Sequence, residues 1–268
     1  MPALLVAAAV AHGQTTGASR FALAQVNDPR GRAIVDVSAD DFVVQEAGAD
    51  REILDVRVAD YPIALVIDNG VSAKRDFGDL RSAALRLLDR LGPRPIALVA
   101  SAPTPTMLAS FEDERETVRT KLQELEAIDQ AGQPLAAAGR GAEAIRSSGA
   151  LFSAIVVLSA ASTDPDTAAA EPSISSVVDS RAVLHVVNLS GPGESRSMFR
   201  GLADQTHGDF TAIFAGPSYQ PAVDRITARL TTELLIEYIV PVASSASDVK
   251  IGIRIPGARV RGLGVAPR

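Results

Sequence analysis

The stretch Tyr61-Pro62-Ile63-Ala64-Leu65-Val66-Ile67-Asp68-Asn69-Gly70-Val71-Ser72 constrains the fold more than any other part of the chain. Ile63 to Ile67 is an unbroken apolar run, the pattern of a strand buried on both faces of a helix-covered parallel sheet. It ends abruptly in an acid, an amide, a glycine and, four residues beyond the acid, a hydroxyl. The carboxyl end of a central strand is where open α/β sheets hold ligands, often with a divalent metal. Asp68 and Ser72 are therefore the first candidates for a site.

The neighbouring sequence supplies what such a strand needs. Ile96–Ala100 and Leu151–Leu158 are further apolar runs, and shorter strands are expected at Met107–Phe111, Ala182–Leu189 and Phe210–Phe214. Over Phe77–Leu91, apolar residues (Leu80, Ala83, Ala84, Leu87, Leu88 and Leu91) recur at helical spacing, and the pattern stops at Gly92-Pro93. Glu112–Ala127 reads as a charged amphipathic helix with Val118, Leu122 and Leu125 inward. Leu135–Ile145 is an Ala-rich helix, and Ile174–Asp179, Ser195–Gln205 and Tyr219–Thr231 are three more. Strands alternating with helices require crossover connections, so the class is α/β with a doubly wound, mostly parallel sheet. Ala160–Pro172 is expected to be a flexible loop.

Both ends of the chain have a different texture. Phe21–Val26, Ala39–Glu46 and the alternating Arg51–Ala59 are joined by turns at Asn27–Arg32 and Ala47–Asp50, where Asn, Asp, Pro and Gly supply the dihedrals. Period-two alternation between such turns describes antiparallel strands with one wet face, so residues 20–60 form a small β unit. Glu233–Pro241 and Val249–Pro256 alternate in the same way. They are expected to pair with each other and to rejoin the N-terminal β unit.

Composition bounds the function. At 268 residues the chain holds one large domain, or a medium domain with a small accessory unit. A net charge of -6 without a basic run argues against a nucleic-acid partner. The absence of cysteine excludes disulfides, thiolate nucleophiles and Cys-ligated zinc. Pro2–Ala11 is a short apolar run followed by Ala11-His12-Gly13 and a polar stretch, the pattern of a signal peptide over 1–13, although no Lys or Arg precedes it. Export to the periplasm or beyond is the expectation. No stretch reaches the ~20 apolar residues of a spanning helix.

Taken with these elements, Val26–Ile34 through Asp40–Gly48 at the start and Glu233–Tyr238 followed by Val249–Arg261 at the end resemble the bacterial VWFA-related proteins. These carry a von Willebrand factor type A domain, which the resemblance places at 61–232, with C-terminal strands over 233–268. The family's metal-ion-dependent adhesion site uses an Asp-x-Ser-x-Ser, a Thr from a later loop and a second Asp after the fourth strand. Here Asp68 and Ser72 match, whereas Gly70 replaces the first Ser, Gln133 stands where Thr is expected and Ala160 where the second Asp is expected. One carboxylate and one hydroxyl make a poor shell for magnesium, which takes near-octahedral oxygen ligands. The resemblance thus implies a degenerate site that needs no cofactor, with Mg2+ or Mn2+ only as the alternative.

Bland roles also fit these residues. Asp68 can cap its own turn, Ser72 can start a helix, and Asp164-Pro165-Asp166 reads as a solvated turn. His12, His185 and His207 do not cluster, His207-Gly208 reads as a helix C-terminus, and no Gly-x-Ser-x-Gly elbow nominates a nucleophile. Gly191–Glu194 lacks the spacing and the Lys of a phosphate loop. The leading expectation is an exported, non-catalytic interaction module. It would bind a protein partner without a metal, through the loops after Ile67, Ser159 and Leu189, with Asp68, Asn69, Ser72, Gln133 and Ser162 as contacts. The alternatives are metal-dependent adhesion through Asp68, Ser72 and an acid such as Asp164, and a hydrolase.

Overall fold

The computed structural model describes residues 17–160, 167–190, 198–242 and 248–267. They form two units, one of Val58–Glu233 and one of the flanking segments up to Arg57 and from Leu234. The expected leader (1–13), Gly191–Glu194, and Ser162, Asp164 and Asp166 lie outside the described residues.

In chain order the first segment carries β1 (Gly17–Asn27), β2 (Phe42–Glu46), β3 (Ala49–Arg51) and β4 (Ile53–Val58). The central unit follows with β5 (Ile63–Ile67), α1 (Phe77–Arg90), β6 (Ile96–Ala100), β7 (Thr106–Ala109), α2 (Arg115–Glu124) and α3 (Pro134–Ser148). It continues with β8 (Ala154–Ser159), α4 (Thr167–Ser180), β9 (Val183–Leu189), α5 (Met198–Gln205), β10 (Phe210–Ile213) and α6 (Tyr219–Leu230). The tail carries β11 (Glu233–Pro241), β12 (Val249–Ile253) and β13 (Arg259–Ala266).

The central sheet has the order β10-β9-β8-β5-β6-β7 and is parallel except for the last pair. β5, at the reversal of strand order, is buried along its whole length, as are β6 and β8. This explains why those runs carry no polar alternation: helices cover both faces. α1 buries Phe77, Leu80, Ala83, Ala84, Leu87 and Leu88, and α3 packs Leu135, Ala137, Ala138, Ala142 and Ile145 onto Ala64, Val66 and Val157. The sheet is therefore doubly wound, as the α/β alternation predicts.

α4 corrects one expectation. The segment read as loop through Pro172 is helical from Thr167 and buries Ala170 and Val177. Alanine at 168–170 favours helix, and the missing Pro172 N–H forfeits a single ladder bond.

The terminal unit places a four-stranded sheet, β13-β1-β11-β4, and a three-stranded one, β12-β2-β3, around a shared apolar core. Ala22, Ala24, Val26, Phe42, Val44, Leu234, Ile236, Tyr238 and Val240 fill it. The tail does rejoin the N-terminal segment, but β11 and β12 do not pair with each other. β11 lies between β1 and β4, and β12 pairs antiparallel with β2, Val249 opposite Glu46 through Ile253 opposite Phe42. The alternating apolar faces of both strands are buried on opposite walls of one core, which pairing side by side would not achieve. β13 lies within the expected C-terminal strands over 233–268, but no period in the sequence singles it out. A bulge at Leu263 shifts its phase, so Val260 and Val265, an odd number of residues apart, both pack on that core.

Candidate functional site

Asp68 leaves the end of β5 with its backbone N–H still in the ladder, donating to Leu158 O at 2.9 Å. Its side chain is 1% exposed. Four donors converge on the carboxylate. Oδ1 accepts from Gly70 N at 3.1 Å and Ser101 Oγ at 2.9 Å, and Oδ2 accepts from Ala160 N at 3.0 Å and, more distantly, Ser159 Oγ at 3.4 Å. A buried anion is tolerated only when its oxygens are so occupied. The carboxylate thereby ties together the ends of β5, β6 and β8.

Asn69 extends the network. Its Oδ1 accepts from Ala102 N at 2.9 Å and its Nδ2 donates to Glu126 O at 3.3 Å. The segment leading into α3 is laid against this turn by main-chain bonds. Ile128 N donates to Asn69 O at 2.9 Å, Val71 N to Gln130 O at 2.8 Å and Gln133 N to Ser101 O at 3.1 Å. Two glycines make the approach possible. A Cβ on Gly70 would lie 2.3 Å from Gly132 N, and one on Gly132 would lie 2.2 Å from Asp68 Oδ1. Below this layer, the buried Tyr219 donates its hydroxyl to Ser159 O at 2.6 Å. Burial first, then the charges of Asp68 and Asp76, push its phenol well above the ordinary value.

The adhesion-site pattern can now be tested position by position. Asp68 is in place but directs both oxygens at protein donors. At position 70 there is no room for the family's serine. Ser72 is exposed and makes no hydrogen bond to Asp68. Gln133 turns its amide to Pro103 O at 2.8 Å, and Ala160 contributes its N–H, a donor, where a second carboxylate would be a ligand. Among the described residues this set does not fit a magnesium shell, which needs several free oxygens about 2.0–2.1 Å from the ion. No group of three His, Asp or Glu among them is placed to hold a metal either.

The opposite end of the sheet holds a second polar group, centred on the fully buried His185 of β9. Its Nδ1 lies 3.2 Å from Asp209 Oδ2, which also pairs with Arg229 at 2.6 Å. His185 first, then Arg229, hold the Asp209 carboxyl well below the usual range. Arg229 reaches the buried Glu233 at 3.5 Å, and Tyr61 donates its hydroxyl to the other Glu233 oxygen. Burial raises the Glu233 pKa, and burial followed by the Glu233 charge raises that of Tyr61. Neither His185 nor His207 hydrogen-bonds a serine among the described residues. His207 sits past α5 with φ 60°, in the helix-terminal role its sequence predicts.

The contributions of Ser101, Ser159, Gly132 and Tyr219 to the Asp68 network are not evident in the sequence. Only the Gly132 position, in the small-residue turn Ala131-Gly132 before α3, carried a signal of close backbone approach.

No family model and no curated protein matches the sequence. Solved structures do match in fold. A von Willebrand factor type A protein from Catenulispora acidiphila superposes with a TM-score of 0.56 at 12% identity, over 94% of this chain and 74% of that one. The PilB minor pilin from Streptococcus sanguinis matches with a TM-score of 0.51 at 13% identity over 65% of this chain, which spans 61% of the pilin. The SpRpn10 VWA domain matches with a TM-score of 0.50 at 9% identity, over 62% of this chain and 95% of that domain. With its sheet order, its single antiparallel edge strand and its helices on both faces, the central unit of this chain has a von Willebrand factor type A-like fold.

Proposed function

We propose that this chain is an exported, non-catalytic protein-interaction module that engages its partner without a metal ion, through the loops at the carboxyl end of the central sheet. The observation that carries this reading is the saturated Asp68 carboxylate. The one acid of the adhesion pattern is committed to internal donors, while the rim around it exposes apolar and uncharged polar groups beside the Lys74–Asp129 ion pair. Val71 is 49% exposed, Phe214 at the end of β10 is 76% exposed, and Ser72, Pro103, Thr104, Gln130 and Gln133 are also open to solvent. Exposed aromatic and apolar side chains on such a rim are the residues that anchor protein interfaces. No helix among the described residues is long and apolar enough to cross a membrane. The apolar run before His12 supports export.

The test is cross-linking capture from an envelope or secreted fraction with the full chain, its Val71→Asp variant and its Phe214→Asp variant. Partner capture should fall at least about tenfold in either variant with unfolding temperature unchanged, as expected for exposed anchors. Undiminished capture by both variants would remove this surface from consideration.

A further inference from the structure

The face just described is held by a segment whose placement the adhesion-site pattern does not explain. Residues 126–133 cross over the Asp68 turn. They are fixed there by Ile128 N to Asn69 O, Val71 N to Gln130 O, Gln133 N to Ser101 O and Asn69 Nδ2 to Glu126 O. We propose that this segment is a built-in replacement for the cation: its main chain at Gly132 covers Asp68 and holds the carboxyl-end surface in one conformation that divalent cations do not change. The inference rests on the reading of this end as the interaction face and concerns how that face is set.

Three observations carry it. The first is steric, since the hypothetical Cβ of Gly132 meets Asp68 Oδ1 at 2.2 Å and Ser101 Oγ at 2.7 Å. The Gly132 main chain therefore already lies in contact with the carboxylate. The second is reciprocal. Gly70, where the family pattern has serine, faces Gly132 N at 2.3 Å, Gly132 Cα at 2.7 Å and Gln130 O at 3.0 Å from its own hypothetical Cβ. A ligand side chain at 70 and this path of the segment exclude each other. The third is electrostatic. The donors on Asp68 are two main-chain N–H groups and two hydroxyls, so both carboxylate oxygens already have their lone pairs taken up by the chain and a cation would have to displace those donors.

An ion could reach Asp68 only in a conformer with the segment lifted, and its apparent affinity would fall by the fraction of molecules in that conformer. The face is thus set at all times, and partner binding on it needs no ionic trigger.

The experiment is residue-level hydrogen exchange by NMR on the full chain in EDTA, magnesium or calcium, together with calorimetric titration of manganese. The amides of Val71, Ile128 and Gln133 should exchange at least about tenfold more slowly than exposed loop amides and be indifferent to all cations. Manganese should give no binding heat. Fast exchange at those three amides in EDTA, or slowing on addition of a cation, would overturn the proposal.

Gly70→Ser should speed their exchange about tenfold without creating a cation site. A folded Gly70→Ser protein that keeps the protection and binds manganese would equally refute it. Should that variant not fold, Asn69→Ala, which removes only the side-chain tie to Glu126 and Ala102, should raise exchange at Ile128 and Val71. No rise would refute the clip. Cation-dependent protection alongside capture lost in Val71→Asp would sink this inference alone, and the reverse pattern would sink the interaction reading alone.

Discussion

The contact between Gly132 and Asp68 can be measured by asking one substitution to have opposite signs at two places. Gly132 and Gly201 both have φ outside the left-handed region, so each backbone admits alanine without strain. Each substitution also narrows the unfolded ensemble, which favours folding by about 0.4–1 kcal/mol. At Gly201, within α5, a Cβ meets nothing within 4 Å, and that gain stands. At Gly132 the Cβ arrives 2.2 Å from a buried carboxylate oxygen whose position is fixed by other donors. Overpacking costs about 1–3 kcal/mol. Displacing the carboxylate from one or two of its donors adds about 1–3 kcal/mol. Against the entropic gain, a net loss of about 3 kcal/mol is expected for Gly132→Ala, or a fall of roughly 6–12 °C in unfolding temperature for a chain of this size. All six α-helices among the described residues lie in the central unit, so their circular-dichroism band follows that unit. If Gly132→Ala matches or exceeds the stability of Gly201→Ala, the close approach that underlies both the site and the inference is wrong.

Three further expectations concern paired or buried charge. In the terminal unit Arg20 pairs with Glu46, both almost completely buried. Glu46→Ala should destabilise that unit by about 3–5 kcal/mol, while the double change Arg20→Met with Glu46→Leu should recover most of the loss, as read from tyrosine fluorescence in urea. At the foot of the central sheet, Asp209 is shifted down by His185 and Arg229, so the unfolded chain binds more protons than the folded one near the ordinary Asp value of 3.8. Stability should fall as pH drops through that value, and Asp209→Asn should flatten the fall. Glu233 is shifted up by burial, so its contribution runs the other way and declines as pH rises above the ordinary 4.5. Glu233→Gln, which keeps an acceptor for the Tyr61 hydroxyl, should remove that decline, and an unchanged pH profile would refute the assignment.

What could be read from the chain alone follows from how local each signal is. β5 and β6 are legible to the residue because a strand buried on both faces has no polar positions to blur its ends. β13 is not, because the bulge at Leu263 breaks the period on which strand recognition depends. The first part of α4, from Thr167 to Pro172, is hidden by that proline, whose local penalty is outweighed by the packing of Ala170 and Val177, a tertiary gain no window of sequence contains. At the site, Asp68 and Asn69 are legible by position after an apolar run. Their roles are not, since the groups that define them, Ser101 and Ala160, lie 33 and 92 residues further along. Ser72 is the converse case: its spacing from Asp68 fits a ligand pair, yet the turn leaves it in solvent.

The acid at position 68 argues at first sight for a metal, even though Gly70, Gln133 and Ala160 stand at the other ligand positions of the adhesion pattern besides Ser72. The geometry supplies a different demand for the same residue type. Gly70 N, Ala160 N, Ser101 Oγ and Ser159 Oγ all donate toward one side chain. An ionised carboxylate offers about four lone-pair sites on two oxygens, enough for all of them. Asparagine would turn one of those oxygens into an N–H2 group facing either Gly70 N–H or Ala160 N–H, a buried donor against a donor, and alanine would take this acceptor away from all four. The requirement for aspartate is thus as strict in the metal-free arrangement as in the metal-bound one. What separates the two is whether the second side of the carboxylate is open, and at Gly132 it is covered by the chain itself.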